Sequence, residues 1–167
     1  MERGLRAIEQ TAGVRPIGYR SPSWEFSTNT LGLLAEYGFR YSSNLMDTFL
    51  PYRHPETEVM ELPVQWILDD APFFLFRPNG PSRPIQPAAT AYQAWSEEFR
   101  GIYRFGGLFN LTMHPQLTGR PGRLLMLQQL IDYIRGFPDV WFATGSEIAD
   151  YWRASGNDEN QGIMLDV

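Results

Sequence analysis

The 167-residue chain contains no cysteine, no lysine and only two histidines, His54 and His114. Without cysteine there is no disulfide, no thiolate metal site and no cysteine nucleophile. The two histidines stand too far apart in sequence for a local two-histidine metal motif. All 14 basic side chains are arginine, and the 19 acidic ones leave a net charge of −5. That balance argues against a general nucleic-acid binder, which needs a basic face, and leaves a carbohydrate or small-molecule site open. No apolar run reaches the roughly 18 residues of a membrane-spanning helix. Met1–Arg6 lacks the apolar core of a signal peptide. The expectation is a cytoplasmic protein that meets neither membrane nor nucleic acid.

What is present suits a folded domain. Apolar residues make up 43% and aromatic residues 14% of the chain, enough for a core and too much for disorder. Apolar spacing predicts a first helix with Leu5, Ile8 and Ala12 on one face, stopped at Gly13. A second carries Leu31, Leu34 and Ala35 and ends before Gly38. Phe39–Ser43 and Val59–Trp66 read as strands, the latter bulged or at an edge because of Pro63. Five prolines between positions 70 and 90 mark a long loop. Tyr92, Trp95 and Phe99 then predict a helix. Gly107–His114 reads as a strand; a helix opening at Pro121 carries an apolar stripe of Leu124, Leu127, Leu130, Ile131 and Ile134 and ends at Gly136; Val140–Ala143 reads as a strand and Ser146–Trp152 as a helix capped by Ser146. Such alternation implies a parallel sheet covered by helices, with chemistry at the C-terminal strand ends, where Arg20 and His114 fall.

Two segments stand out for candidate chemistry, and two more offer it. In Gly18-Tyr19-Arg20-Ser21-Pro22-Ser23-Trp24, an arginine beside a proline-stiffened turn can orient a carboxylate with its planar fork, and Trp24 can wall a sugar-sized groove. The same residues also read as a surface arginine and a core tryptophan. In Leu111-Thr112-Met113-His114-Pro115-Gln116, a histidine ending an apolar strand can serve as a general acid or simply close the strand with a hydrogen bond. Asp69 and Asp70 offer paired carboxylates for a metal or for acid–base work, or are two solvated acids. Gly119–Arg123 opens a helix, either as an anion site or as a tight turn.

At these residues the chain resembles the polysaccharide deacetylase family, the NodB-homology fold. Arg20-Ser21-Pro22-Ser23-Trp24 is similar to the family's Arg-x-Pro-aromatic groove motif, with the aromatic displaced by one. Leu111-Thr112-Met113-His114 matches its Leu-x-x-His motif. The runs GYRSPSWEFS, YGFRYSSN, MELPVQW and LTMHPQLTGRP resemble a branch of peptidoglycan-deacetylase-like proteins and cyclic imide or ureide hydrolases. The resemblance covers residues 1–153, with 154–167 as a polar tail. It implies an incomplete (β/α) barrel of about five strands with covering helices. It also implies amide hydrolysis that removes N-acetyl groups from peptidoglycan- or chitin-type sugars. His114 would protonate the leaving amine and Arg20 would orient the catalytic Asp. Pro22 and Trp24 would shape the groove, Leu111 would line the acetyl pocket, and Asp70 would border the site.

The departure from the family matters equally. Its Asp-containing first motif and its His-x-x-x-His motif, which supply the base and the ligands of a divalent metal, usually Zn²⁺, are not in this sequence. His54 lies in Pro51–Pro55 with no second histidine four residues on. The resemblance places the start of the chain just after the second motif, with about two strands lacking. A fragment, one chain of a two-chain enzyme and a degenerate protein all fit. The expectation is therefore that the chain holds no complete metal site and is inactive alone. A second chain or a missing N-terminal segment would complete the barrel, and self-association is the other way to cover an open one. Two alternatives stand beside this. One is a cyclic imide or ureide hydrolase of the same fold. The other is a non-catalytic carbohydrate-binding or interaction module using Trp24 and Trp66.

Overall fold

Glutamate, arginine and alanine supply six of the 11 residues of the first helix, and Gly13, at φ 70°, stops it in the left-handed conformation that glycine adopts without a Cβ penalty. The resulting helix α1 spans Glu2–Ala12. The computed structural model describes residues 1–76 and 84–156. The expected polar tail and the prolines Pro78 and Pro81 lie wholly or mostly outside the described residues.

The chain divides into two compact units, one of Met1–Pro63 with the segment from Ala143, the other of Val64–Phe142. The first unit holds a four-stranded sheet of strands β1 (Gly18–Tyr19), β2 (Tyr41–Ser42), β3 (Tyr52–Arg53) and β4 (Met60–Glu61), in the order β1-β2-β4-β3. β1, β2 and β4 are parallel, as alternation predicts; β3 is antiparallel to β4 and was not read from sequence. The expected strands shrink to two residues each, because only those residues exchange ladder hydrogen bonds. Among the described residues the sheet is thus open, with four strands rather than about five. Gly18 pairs with Tyr41 in register, and a Cβ at Gly18 would meet the Tyr41 ring at 2.0 Å. Helix α2 (Thr30–Glu36) ends before Gly38, at φ 76°. Leu34, Phe39, Val59 and Leu5 form the buried core, with Tyr19, Phe26, Leu31 and Tyr37 around them. Ile8 and Ala12, expected on the buried face of α1, are exposed.

Helix α7 (Gly145–Ser155) packs on β2 and β4. Its N-cap is Thr144 rather than Ser146: the Thr144 side chain accepts the Glu147 backbone N–H and Glu147 reaches back to the Thr144 N–H at 2.7 Å. That is a reciprocal capping box. Arg40 pairs with Asp150, and Arg153 donates to the Glu58 carbonyl at 2.9 Å.

The second unit is helical among the described residues, with α3 (Ala71–Phe74), α4 (Ala88–Phe105), α5 (Pro115–Thr118) and α6 (Pro121–Arg135). Along α4 the buried residues are Ala91, Trp95, Phe99 and Ile102, the three-and-four spacing of one helix face. They pack against Met126, Leu130 and Ile134 of α6. Leu124, expected in that stripe, is 50% exposed, because Met126 fixes the buried face one register away. Phe99, Tyr103, Tyr133 and Phe137 meet edge-on or tilted at centroid distances between 4.9 and 6.0 Å, a geometry that suits aromatic quadrupoles. Trp95 is fully buried and its indole N–H donates to the Ile67 carbonyl at 2.9 Å. The expected strands 107–114 and 140–143 do not form; the first contributes one parallel bridge, Asp69 to Thr112. No described helix is long and apolar enough to cross a membrane.

Candidate functional site

That single bridge builds the site in the second unit. The Thr112 N–H donates to the Leu68 carbonyl at 2.8 Å and the Asp70 N–H to the Thr112 carbonyl at 3.1 Å. The two segments therefore run side by side, and Asp70 reaches His114. Asp70 opens α3, and Pro115 opens α5 directly after His114, so both side chains stand where an extended segment turns into a helix.

Asp70 is fully buried and accepts three hydrogen bonds. The His114 backbone N–H reaches Oδ2 at 2.9 Å, the Thr118 hydroxyl reaches the same oxygen at 2.6 Å, and His114 Nδ1 lies 2.6 Å from Oδ1. A carboxylate can only accept, so Nδ1 carries the proton and Nε2 is left as the working nitrogen of the ring. The His114 side chain is 39% exposed while that of Asp70 is not exposed at all. Burial of an unpaired carboxylate is costly; here every donor comes from one turn, His114–Thr118. Asp69, also buried, accepts the Ala71 N–H at 2.6 Å and sits 4.0 Å from Nδ1.

Asp69, Asp70 and His114 form the one group of potential ligands among the described residues that lies close enough to share an ion, all within 4.8 Å. In this structure the donor atoms of the set are engaged in hydrogen bonds of their own, with which a cation would compete. Metal ligands must offer lone pairs. Asp70 Oδ2 accepts two donors, Asp70 Oδ1 faces His114 Nδ1, and Asp69 Oδ1 holds the start of α3. The geometry is that of a histidine oriented by a carboxylate.

The other expected site residues fall as follows. Leu111 is half-buried just before the bridge, and Trp66 is 52% exposed in the short turn before Asp69. Arg20, Pro22 and Trp24 belong to the first unit. Arg20 and Pro22 are exposed, whereas Trp24 is only 8% exposed, its ring in the core. Arg20 is held by Ser43: Nε donates to the Ser43 carbonyl at 3.1 Å and Nη2 to its hydroxyl at 2.6 Å. His54 is also buried, and its Nε2 lies 3.0 Å from Oε2 of the fully buried Glu61. Tyr52 lies alongside; burial, Asp47 and Glu61 together push its phenol well above the ordinary tyrosine range. Reading the sequence missed Thr118, Asn44 and Glu61. The only available signal for Thr118 was its position one helical turn after His114; for Glu61 it was an acid inside an apolar strand.

No family model matches the chain. A peptidoglycan deacetylase of Helicobacter pylori is 32% identical over 89% of this chain and 60% of that protein. The crystal structure of a Mycobacterium smegmatis protein described as a polysaccharide deacetylase superposes with a TM-score of 0.87 at 42% identity, covering 92% of this chain and 55% of that one. The crystal structure of PuuE allantoinase superposes with a TM-score of 0.79 at 25% identity, over 93% of this chain and 52% of that one. The chain spans just over half the length of these solved relatives. By sequence and by fold the chain is similar to polysaccharide deacetylases over most of its length, and its α/β fold is of the deacetylase type.

Proposed function

We propose that this chain supplies the proton-donating side of a deacetylase that hydrolyses the N-acetyl amide of a peptidoglycan- or chitin-type sugar. The observation that carries the reading is the Asp70–His114 pair, in which a buried carboxylate fixes the ring with Nε2 as its outward nitrogen. When the imidazole is protonated, Nε2–H can pass its proton to the amide nitrogen as the carbon–nitrogen bond breaks, so that the amine leaves neutral. The Asp70 charge stabilises the imidazolium that precedes this transfer. Arg20 orients the carboxylate that serves as base. That base, and a divalent ion with its ligands, come from a segment or chain outside these residues.

The chain alone is accordingly inactive. Purified protein incubated with N-acetylglucosamine oligomers and Zn²⁺ should release no acetate. Release that depends on Zn²⁺ and disappears in His114→Ala would overturn that statement. Binding can be read on the chain as it stands: chitotetraose should shift the His114 ring resonances.

A second reading, a cyclic imide or ureide hydrolase, is favoured by the likeness to PuuE allantoinase. Here His114 would protonate a ring nitrogen. Shifts at His114 with allantoin or hydantoin, and none with chitotetraose, would select it. Glycan contacts confined to Trp66, without any at His114, would favour a binding module.

A further inference from the structure

The first unit contains a buried polar network that the proton-donating pair does not use. Glu61 occupies an inward position on β4 and is completely buried, yet each of its oxygens is engaged. Oε1 accepts the backbone N–H groups of Asn44 at 2.6 Å and Leu45 at 2.8 Å, and Oε2 faces His54 Nε2 at 3.0 Å. Asn44, 2% exposed, turns its own side chain the other way. Its Oδ1 accepts the Ser21 N–H at 2.8 Å and lies 2.9 Å from the Ser21 hydroxyl, while its Nδ2 donates to Ser42 Oγ at 2.9 Å. Beside it, Ser43 Oγ donates to the Leu62 carbonyl at 2.6 Å, which turns a lone pair toward Arg20 Nη2.

These bonds converge on the turn that carries Arg20. Ser23 and Trp24 both sit at positive φ, 56° and 57°. Such conformations persist in non-glycine residues only where the surroundings over-determine them. The Ser21 N–H, gripped by Asn44, is the anchor at the entrance of that turn. Trp24 N–H to the Ser21 carbonyl at 3.1 Å closes it.

We propose that Asn44, braced from behind by Glu61, is a positioning residue that holds the Arg20–Trp24 turn and so aims the Arg20 guanidinium. Glu61 fixes the exit of β2, Asn44 transmits that position to Ser21, and Ser43 receives Arg20 in the register so defined. The inference rests on the reading of Arg20 as the residue that orients a carboxylate, and the test separates the two.

The experiment follows the Arg20 Nε–H by ¹⁵N–¹H NMR in the full chain. In Asn44→Ala its solvent exchange should accelerate at least tenfold, together with that of the Ser21 amide. The Leu62 amide, which donates to the Ser42 carbonyl in the sheet, should change less than twofold. Asn44→Asp retains an acceptor for Ser21 and should restore slow exchange. Unchanged Arg20 exchange in Asn44→Ala, or equal acceleration at Leu62, would overturn the proposal. Should Asn44→Ala fail to fold, the wild type decides: Arg20 Nε–H and the Ser21 amide should open with one denaturant dependence, and separate dependences overturn it. Sodium acetate serves as a probe carboxylate. If it shifts the Arg20 Nε resonance in the wild type and about tenfold more is needed in Asn44→Ala, both ideas stand. If it does not shift Arg20 in the wild type, the carboxylate-orienting reading falls, and the exchange data still judge the positioning role.

Discussion

Asp70 and His114 are joined twice: one carboxylate oxygen takes the histidine's backbone N–H at 2.9 Å, and the other faces its ring Nδ1 at 2.6 Å. Main chain and side chain of one residue are thus referred to a single buried group. The ring cannot rotate about its side-chain torsions without leaving an acceptor unfilled in the interior.

That double bond makes the tautomer a test. Neutral His114 should show Nδ1–H and an unprotonated Nε2 in long-range ¹⁵N spectra. Asp70→Asn puts an amide donor against one of three donors. It should cost about 3 kcal/mol in urea unfolding, since a buried charged acceptor is lost and its partners are stranded. The Nδ1–H preference should go with it.

Thr118→Val separates stability from orientation. It removes one donor from a carboxylate that keeps two others, so a loss of about 1–2 kcal/mol is expected. The His114 tautomer should not change. A switched tautomer would show that the Thr118 hydroxyl, rather than the His114 main chain, sets the carboxylate.

Tyr52 should make the first unit sensitive to alkali. Its phenol is raised above 10.0 by burial and by the charges of Asp47 and Glu61. Above the unfolded value the native state holds a proton that the unfolded chain has lost. Stability is therefore complete below pH 10.0 and falls as pH rises beyond it. Tyr52→Phe should flatten that fall, as read from urea midpoints on either side of the transition.

The cap of α7 gives the opposite dependence. Hydrogen bonds from Thr144 hold the Glu147 carboxyl below its ordinary 4.5. The folded state thus favours the ionised form; that contribution is present above this value and is lost as pH falls through the lowered one. Thr144→Ala should cost about 1 kcal/mol near neutrality, and the difference between wild type and variant should narrow in acid.

The helices were largely legible. Trp95 and Phe99 mark the buried face of α4 by spacing alone, and Gly13 and Gly38 end their helices as glycine at positive φ should. The strands were not, because a strand exists only through partners elsewhere. Gly107–His114 has strand-like residues but only Thr112 finds a ladder partner. Tyr52–Arg53 became a strand because β4 lay alongside. The stripe of α6 was misplaced at Leu124, since whether Leu124 or Met126 is buried depends on which face α4 covers.

Composition and motif order by themselves determined a cysteine-free α/β chain with one histidine in a Leu-x-x-His setting and no histidine pair for a metal. Only the tertiary structure decided that Asp70, and not its neighbour Asp69, orients His114, and that Thr118 completes the set. The same holds for Asn44 and Glu61, which stand behind the Arg20 turn. The physical reason is that adjacent side chains at the start of a helix diverge, and no local rule says which will meet a residue 44 positions away. That choice belongs to the parallel bridge between Asp69 and Thr112, a contact between distant segments that neither segment encodes alone.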